Sequence, residues 1–463
     1  MAIDYPAATV RQLRAALDAR EVSAEELAQA AIARIERLDG PINAVVVRDF
    51  ERALATARAA DMAIRAGERA PLLGVPMTVK ESFGVAGLPH TWGSEMFREV
   101  VAVEDAVAVS RLKAAGAVIL GKTNVPPMLA DWQSTNPLFG RTCNPWDLTR
   151  SPGGSSGGSA AALAAGYAPL EFGSDIGGSI RVPAAFCGVF GHKPSYKLVP
   201  MRGHGPPALE GEDAPLAVVG PLARTAEDLA LALDVVAGPD EDMAIAYRLA
   251  LPAPRQTRLS GFRVLILDRH PAAATDGAIL SALNGLADEL ARAGARVVRS
   301  HPDLPDLGAA MDAYLGLLNS VVSRGRPDAE PISAHAYLDC LDAQNRVRAK
   351  WAQVFGDVDV VLAPVFGALA FPHTDLAWGE RGLLIDGAKT PYGVQLAWPS
   401  VALFGALPAT VFPAGLSDTG LPVGLQAIGP FLEDRTSLAF AAAVERELGR
   451  GFTAPPLQAL EPA

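Results

Sequence analysis

Cysteine is scarce in this chain. Cys143, Cys187 and Cys340 are few, odd in number and widely spaced, so neither a disulfide framework nor a thiolate metal site is expected, and Cys187 reads as a buried free thiol. Histidine is scarce too, seven in 463 residues, and none lies in a setting that nominates it as a catalytic base. Cationic residues are outnumbered, 40 Lys and Arg against 51 Asp and Glu, and no basic patch stands out. That balance argues against nucleic acid as a partner, because an anionic polymer would be repelled. No apolar run approaches the ~20 residues that span a bilayer, so no membrane partner is expected. The opening residues Met1 to Pro6 carry neither a basic n-region nor an apolar h-region, so no secretory signal is expected and a cytoplasmic location is. No metal or cofactor motif appears, and none is expected to be needed.

What is present is an apolar half, with 50% hydrophobic and 20% charged residues, enough to bury a large core. It also has two serine-bearing glycine clusters, Gly153-Gly154-Ser155-Ser156-Gly157-Gly158-Ser159 and Ser174-Asp175-Ile176-Gly177-Gly178-Ser179-Ile180-Arg181. Glycines let a backbone take positive φ and approach a ligand closely, so such clusters can present a hydroxyl beside exposed amide donors. That is the equipment of acyl transfer without histidine. Upstream, Pro71-Leu-Leu-Gly-Val-Pro-Met-Thr-Val-Lys80 reads as a buried strand that ends in a lysine. Burial disfavours the ammonium and would make Lys80 a base near neutral pH.

Two short motifs compete with this reading. Gly153-Gly-Ser-Ser-Gly157 fits the Gly-x-Ser-x-Gly elbow, which would make Ser155 a nucleophile served by a later Asp and His, but the preceding Asn144 to Pro152 is rich in turn residues where a strand is required. Gly116 to Thr123 satisfies the Walker A spacing. Its apolar interior Ala117 to Leu120 looks like a strand and Asn124-Val-Pro-Pro127 blocks the helix that should follow. Lys122 and Thr123 are therefore expected at a sheet edge near the active site.

Together the segments from Gly74 to Ser195 resemble the amidase signature family. The matching stretches are Gly74-Val-Pro-Met-Thr-Val-Lys80, Gly121-Lys-Thr-Asn124, Asn144-Pro-Trp146, the two glycine clusters and Phe186-Cys-Gly-Val-Phe-Gly-His-Lys-Pro194. The resemblance implies that Ser179 is the nucleophile, that Ser155 is its partner beside a cis peptide, and that Lys80 is the base, a Ser-cisSer-Lys triad. It further implies that Asp175 and Arg181 brace the glycine turn, that Ser156 helps hold Ser155 and Lys80 in register, and that Met128, Leu129 and Trp132 line an acyl pocket. No cofactor is implied.

The residue types support the same chemistry. Ser179 is a weak nucleophile that needs a proton acceptor, and a neutral lysine can serve through an intervening hydroxyl. The backbone amides of Ile176, Gly177, Gly178 and Ser179 are the expected oxyanion donors. The expected function is a serine amidohydrolase that cleaves amide C–N bonds through an acyl-enzyme, with a small apolar aryl or alkyl amide as substrate and esters or carbamates (urethanes) as further substrates. The alternatives are the glutamine-hydrolysing subunit of a transfer-RNA-dependent amidotransferase, and a non-catalytic family member with a binding role in an assembly. By default a homodimer is expected.

Strand-like and helix-like segments alternate along the chain, giving an α/β fold class: a single amidase-signature domain over 1–463, with a mixed central β-sheet covered by helices on both sides. Within it, 1–66 reads as an N-terminal helical segment, 74–195 as the signature core and 307–355 as a helical section that covers the site. Ser23 with Glu26 marks a capping box. Strands are expected at Leu170–Ser174, Arg263–Leu267, Arg296–Val298, Val358–Ala363, Ala409–Pro413 and Val423–Ile428. Loops are expected at Gly203–Pro215 and Leu251–Leu259. Phe366, Phe371, Trp378 and Leu384 fall in a glycine-rich stretch that reads as a lid.

Overall fold

A computed structural model describes residues 4–207, 211, 213–324 and 329–457. The N-terminal helices begin where their side chains can satisfy free backbone amides. Thr9 and Gln12 form one capping box ahead of Val10–Ala19, and Ser23 and Glu26 form the expected one ahead of Ala24–Ile42. The latter helix ends at Asn43 in the left-handed region, and three consecutive valines then favour a pleated chain. A strand therefore interrupts the 1–66 segment, which corrects the expectation of helix alone. The helix Phe50–Arg65 follows it.

Eleven strands form one mixed sheet: β1 (Val45–Arg48), β2 (Pro76–Lys80), β3 (Val118–Thr123), β4 (Leu170–Asp175), β5 (Phe190–Lys193), β6 (Val218–Ala223), β7 (Arg263–Ile266), β8 (Arg296–Val298), β9 (Val360–Pro364), β10 (Ala409–Leu416) and β11 (Pro422–Ile428). Their spatial order is β1-β3-β2-β4-β6-β5-β10-β11-β9-β7-β8. Pairing is parallel where β2 meets β3 and β4, and again where β7 meets β8 and β9; every other pair is antiparallel.

Both faces of the sheet are buried. Along β3, Val118 and Leu120 pack with Leu27, Ala31 and Ile35 of the N-terminal helices, while Ile119 between them joins Val109 and Leu112 on the other side. Along β9, Val360 and Leu362 meet Leu286 and Leu290, whereas Val361 and Ala363 meet Trp351 and Val354. Alternation carries side chains to opposite faces, so a strand apolar at every position needs a helical layer on each side.

Several expectations are corrected. Phe190–Lys193 and Val218–Ala223 are strands that sequence reading missed, because Gly191, Gly220 and Pro221 read as breakers although the central sheet absorbs them. Lys122 and Thr123 lie in β3, one strand in from the edge strand β1. The section 307–355 comprises two helices, Leu307–Val322 and Ala334–Asp357; residues 325–328 between them lie outside the described residues, as do 208–210 and 212 of the expected loop Gly203–Pro215. In the expected lid, Phe366 and Phe371 are buried, and Gly382–Ile385 pairs with Ala388–Pro391 as a small hairpin. Among the described residues, no helix is long and apolar enough to cross a membrane.

Candidate active site

β2 ends at Lys80, next to β4, which runs out into the second glycine cluster. Lys80 is fully buried, and its Nζ donates to Ser155 Oγ at 2.6 Å and to Ser174 Oγ at 2.9 Å. Burial pulls the lysine down to about 7, against Asp175 and Glu171, whose charge favours the ammonium. The lysine is therefore available as a neutral amine near physiological pH.

Ser155 follows a cis peptide bond between Gly154 and Ser155. Only glycine fits at Gly154, because a Cβ there would lie 2.4 Å from the carbonyl oxygen of Asp131. Ser156 then leads into the helix Gly157–Ala164. Its N–H donates to the Ser179 carbonyl at 3.1 Å, and its hydroxyl lies 3.4 Å from the Ser174 carbonyl. Ser156 thus ties the two glycine clusters together through Ser174 and Ser179.

The second cluster is built around Asp175. Its carboxylate accepts from the amides of Gly178 at 2.8 Å and Ile180 at 3.1 Å, and from Arg181 Nε at 3.0 Å. Burial alone would push the Asp175 carboxyl up, yet the Arg181 guanidinium holds it below the usual range. Arg181 is itself completed by Gln426 Oε1 at 2.9 Å and the Pro399 carbonyl at 3.1 Å. A fully buried ion pair is stable only with such saturated hydrogen bonding.

One expected oxyanion donor is corrected here. The Gly178 amide is committed to Asp175, which leaves Ile176, Gly177 and Ser179; these three donate to no backbone or side-chain acceptor among the described residues. Outer side chains set the direction of the turn. Tyr314 Oη donates to the Ile176 carbonyl at 2.8 Å, and Trp132 Nε1 donates to the Gly177 carbonyl at 2.9 Å. The C=O and N–H of a trans peptide point opposite ways, so the Tyr314 bond turns the Gly177 N–H away from the helix Leu307–Val322. Ser179 follows on this turn and is 6% exposed.

The expected pocket residues divide. Trp132 is buried against the turn, with ring centroids of Phe366, Tyr392 and Trp378 at 4.7, 5.0 and 5.3 Å. Met128 is 42% exposed and Leu129 is half-buried, because left-handed φ values of 53° and 58° swing this short turn outward. Arg381 Nη1, just before the hairpin, and Tyr392 Oη, just after it, both bond to Asp131, at 2.5 and 2.9 Å, and so fasten the two ends of the hairpin beside Trp132.

The competing motifs find no support. Ser155 Oγ bonds to Lys80 and to no histidine among the described residues. Lys122 lies inside a strand, donates to the Pro89 carbonyl and sits 3.6 Å from the buried Glu81. Among the described residues, no cluster of three His, Cys, Asp or Glu is placed to hold a metal ion. Sequence reading assigned nothing to Ser174, Glu171, Tyr314 or Gln426. Ser174, immediately before Asp175, was the one with a signal, being a hydroxyl at the end of the strand beside Lys80.

Comparison with known proteins places this geometry. The amidase family pattern matches residues 26–326 and 317–438. AmiB2 of Mycobacterium tuberculosis, assigned as an amidase, is 36% identical over 465 residues, covering 92% of each chain. A glutamyl-tRNA(Gln) amidotransferase subunit of Anaeromyxobacter sp. (strain K) is 34% identical, covering 96% of this chain and 97% of that one. A bacterial aryl acylamidase of the amidase signature enzymes superposes with a TM-score of 0.82 at 26% identity, over 95% of this chain and 96% of that one. With its family pattern, its relatives and its mixed sheet in agreement, the chain belongs to the amidase signature family, enzymes that hydrolyse carbon–nitrogen bonds other than peptide bonds.

Proposed function

We propose that the chain is a serine amidohydrolase in which Ser179 attacks the amide carbonyl, Ser155 relays its proton and Lys80 is the base. The observation that carries this reading is the 2.6 Å contact from Lys80 Nζ to Ser155 Oγ, between two buried side chains. As the bond from Ser179 Oγ to the carbonyl carbon forms, the Ser179 proton passes to Ser155, whose own proton passes to Lys80. The carbonyl π electrons move onto oxygen, where the amides of Ile176, Gly177 and Ser179 would receive the charge. Collapse breaks the C–N bond, and the proton returns through Ser155 to the leaving amine. Water then repeats the sequence on the acyl-enzyme, releasing the carboxylic acid and restoring Ser179.

An apolar acyl or aryl group is favoured by the aromatic wall of Trp132, Phe366, Trp378 and Tyr392 beside the turn. Similarity to an aryl acylamidase supports the same class. Esters and carbamates pass through similar tetrahedral intermediates and fit the same donors. Similarity to the amidotransferase protein supports a second reading, glutamine hydrolysis with partner chains. The test is turnover by the isolated chain on a panel of acyl anilides, alkyl amides, matched esters and carbamates, and glutamine. Anilide or alkyl amide hydrolysis is expected. Glutamine hydrolysis alone would transfer the assignment to the amidotransferase role, and an inert panel would favour a non-catalytic binding role.

The turn makes a prediction of its own. At Gly178, φ is +95°, and a Cβ would stand 2.8 Å from Val182 Cγ2 and 2.9 Å from Pro399 Cγ. Gly178→Ala should therefore displace the flanking amides and lower kcat by about 10²-fold or more, the cost of losing an oxyanion donor. Kinetics on a folded variant with near wild-type kcat would show that the turn is not the oxyanion site.

A further inference from the structure

We infer that Glu171 is a positioning residue for this reaction, the remote counter-charge that sets the basicity of Lys80. Glu171 lies on β4 directly across from Thr78 of β2, two residues before Lys80. It is fully buried, Thr78 Oγ1 donates to its Oε1, and the Phe172 amide donates to its Oε2 at 3.1 Å. The hydroxyls of Thr123 and Ser159, 2.9 Å from one another, complete the cage. One of those two hydroxyls spends its proton on the other, so three donors and no cation serve this carboxyl among the described residues, an arrangement built for a group whose charge is answered from a distance.

The lysine presents the complementary vacancy. Among the described residues its two hydrogen bonds go to serines and no carboxylate touches it. The acids that act on Lys80 are Asp175 and Glu171. Asp175 is already matched by Arg181 at 3.0 Å and also feels Lys193. His204 senses Lys80 as well and is held neutral by burial and by that positive charge. Of these two acids Glu171 is therefore the one that, among the described residues, has no cation of its own. Burial raises it to about 7 and lowers the lysine to about 7, so both groups change charge over the same pH range. An ionised Glu171 favours the ammonium that forms when Lys80 accepts the proton from Ser155; a neutral one does not.

This inference rests on Lys80 being the base, and its test separates the two. Glu171→Gln keeps the shape and removes the charge. The acid limb of kcat/KM should move down by about one pH unit, because Lys80 is then easier to deprotonate. The plateau kcat should fall about threefold, because a weaker base accepts the proton less readily, with KM unchanged. A folded Glu171→Gln with an unmoved limb overturns the inference. Should that variant fail to fold, Thr78→Val, which removes one donor to the carboxylate and favours neutral Glu171, should shift the limb the same way; an unmoved limb there overturns it equally. A Lys80→Met enzyme that retained activity would overturn the base assignment itself, whereas an inactive Lys80→Met with an unmoved limb in Glu171→Gln would sink only the role of Glu171.

Discussion

Ser179→Ala is expected to lower amide turnover by about 10⁴-fold or more and to abolish covalent labelling by a fluorophosphonate, with no loss of thermal stability. The magnitude follows from removing the atom that the proposed mechanism bonds to the substrate carbonyl. The turn amides, the proposed oxyanion donors, remain in the variant, so a small residual rate over water should survive. Stability should hold because the Ser179 backbone carbonyl, which accepts from Ser156, is untouched, and no side-chain hydrogen bond of Ser179 is recorded among the described residues. The check is intact mass and peptide mapping of the labelled wild type beside kinetics of the variant. A single adduct on Ser179 is the expected result. An adduct on Ser155 would instead reverse the order of the two serines in the proton relay, and near wild-type turnover by Ser179→Ala would remove it from the chemistry.

The sheet and the placing of Lys80 were legible because they rest on local patterns. An apolar run ending in lysine reads as a strand whether its neighbours are known or not, and Gly-Gly-Ser-Ser is conspicuous anywhere. What was not legible depends on which strands lie side by side. Leu170–Ser174 reads as a strand, but that it lies between β2 and β6 with both faces covered, which makes Glu171 an interior group, is not written in its own residues. Strand order carries no local signature, and neither Ser174 nor Glu171 could be assigned to Lys80 without it. The Gly178 amide was misassigned for a related reason. Residue types show that a glycine turn has free N–H groups, but not that Asp175 would fold back over three residues and take one. The outward swing of Met128 came from two successive left-handed residues, a conformation that neither Met128 nor Leu129 announces.

Lys80→Met should lower kcat/KM by about 10³-fold or more while leaving the protein as stable as wild type or more so. The expected catalytic loss is that of the proposed base and of the return proton to the leaving amine, two roles that the mechanism gives to one nitrogen. In the proposed mechanism neutral Lys80 is the active form, so kcat/KM of the wild type should rise with pH up to about 7 and level off above it. The residual activity of Lys80→Met should lack that limb. The stability argument runs with the opposite sign. The folded lysine lies at about 7 and the unfolded one at 10.5, so between these values the unfolded chain binds more protons and folding is penalised. The penalty is absent above 10.5, grows as pH falls and is complete below about 7, where it amounts to a few kcal/mol. Methionine fills similar volume with no charge to bury, and the unpaired hydroxyls of Ser155 and Ser174 offset part of the gain. Denaturation of both proteins from pH 6 to pH 10 should therefore show the variant's advantage largest at the acid end and fading towards pH 10. A wild-type curve that runs parallel to the variant's across this range would mean that Lys80 is charged in the folded protein, and the base would have to be sought elsewhere.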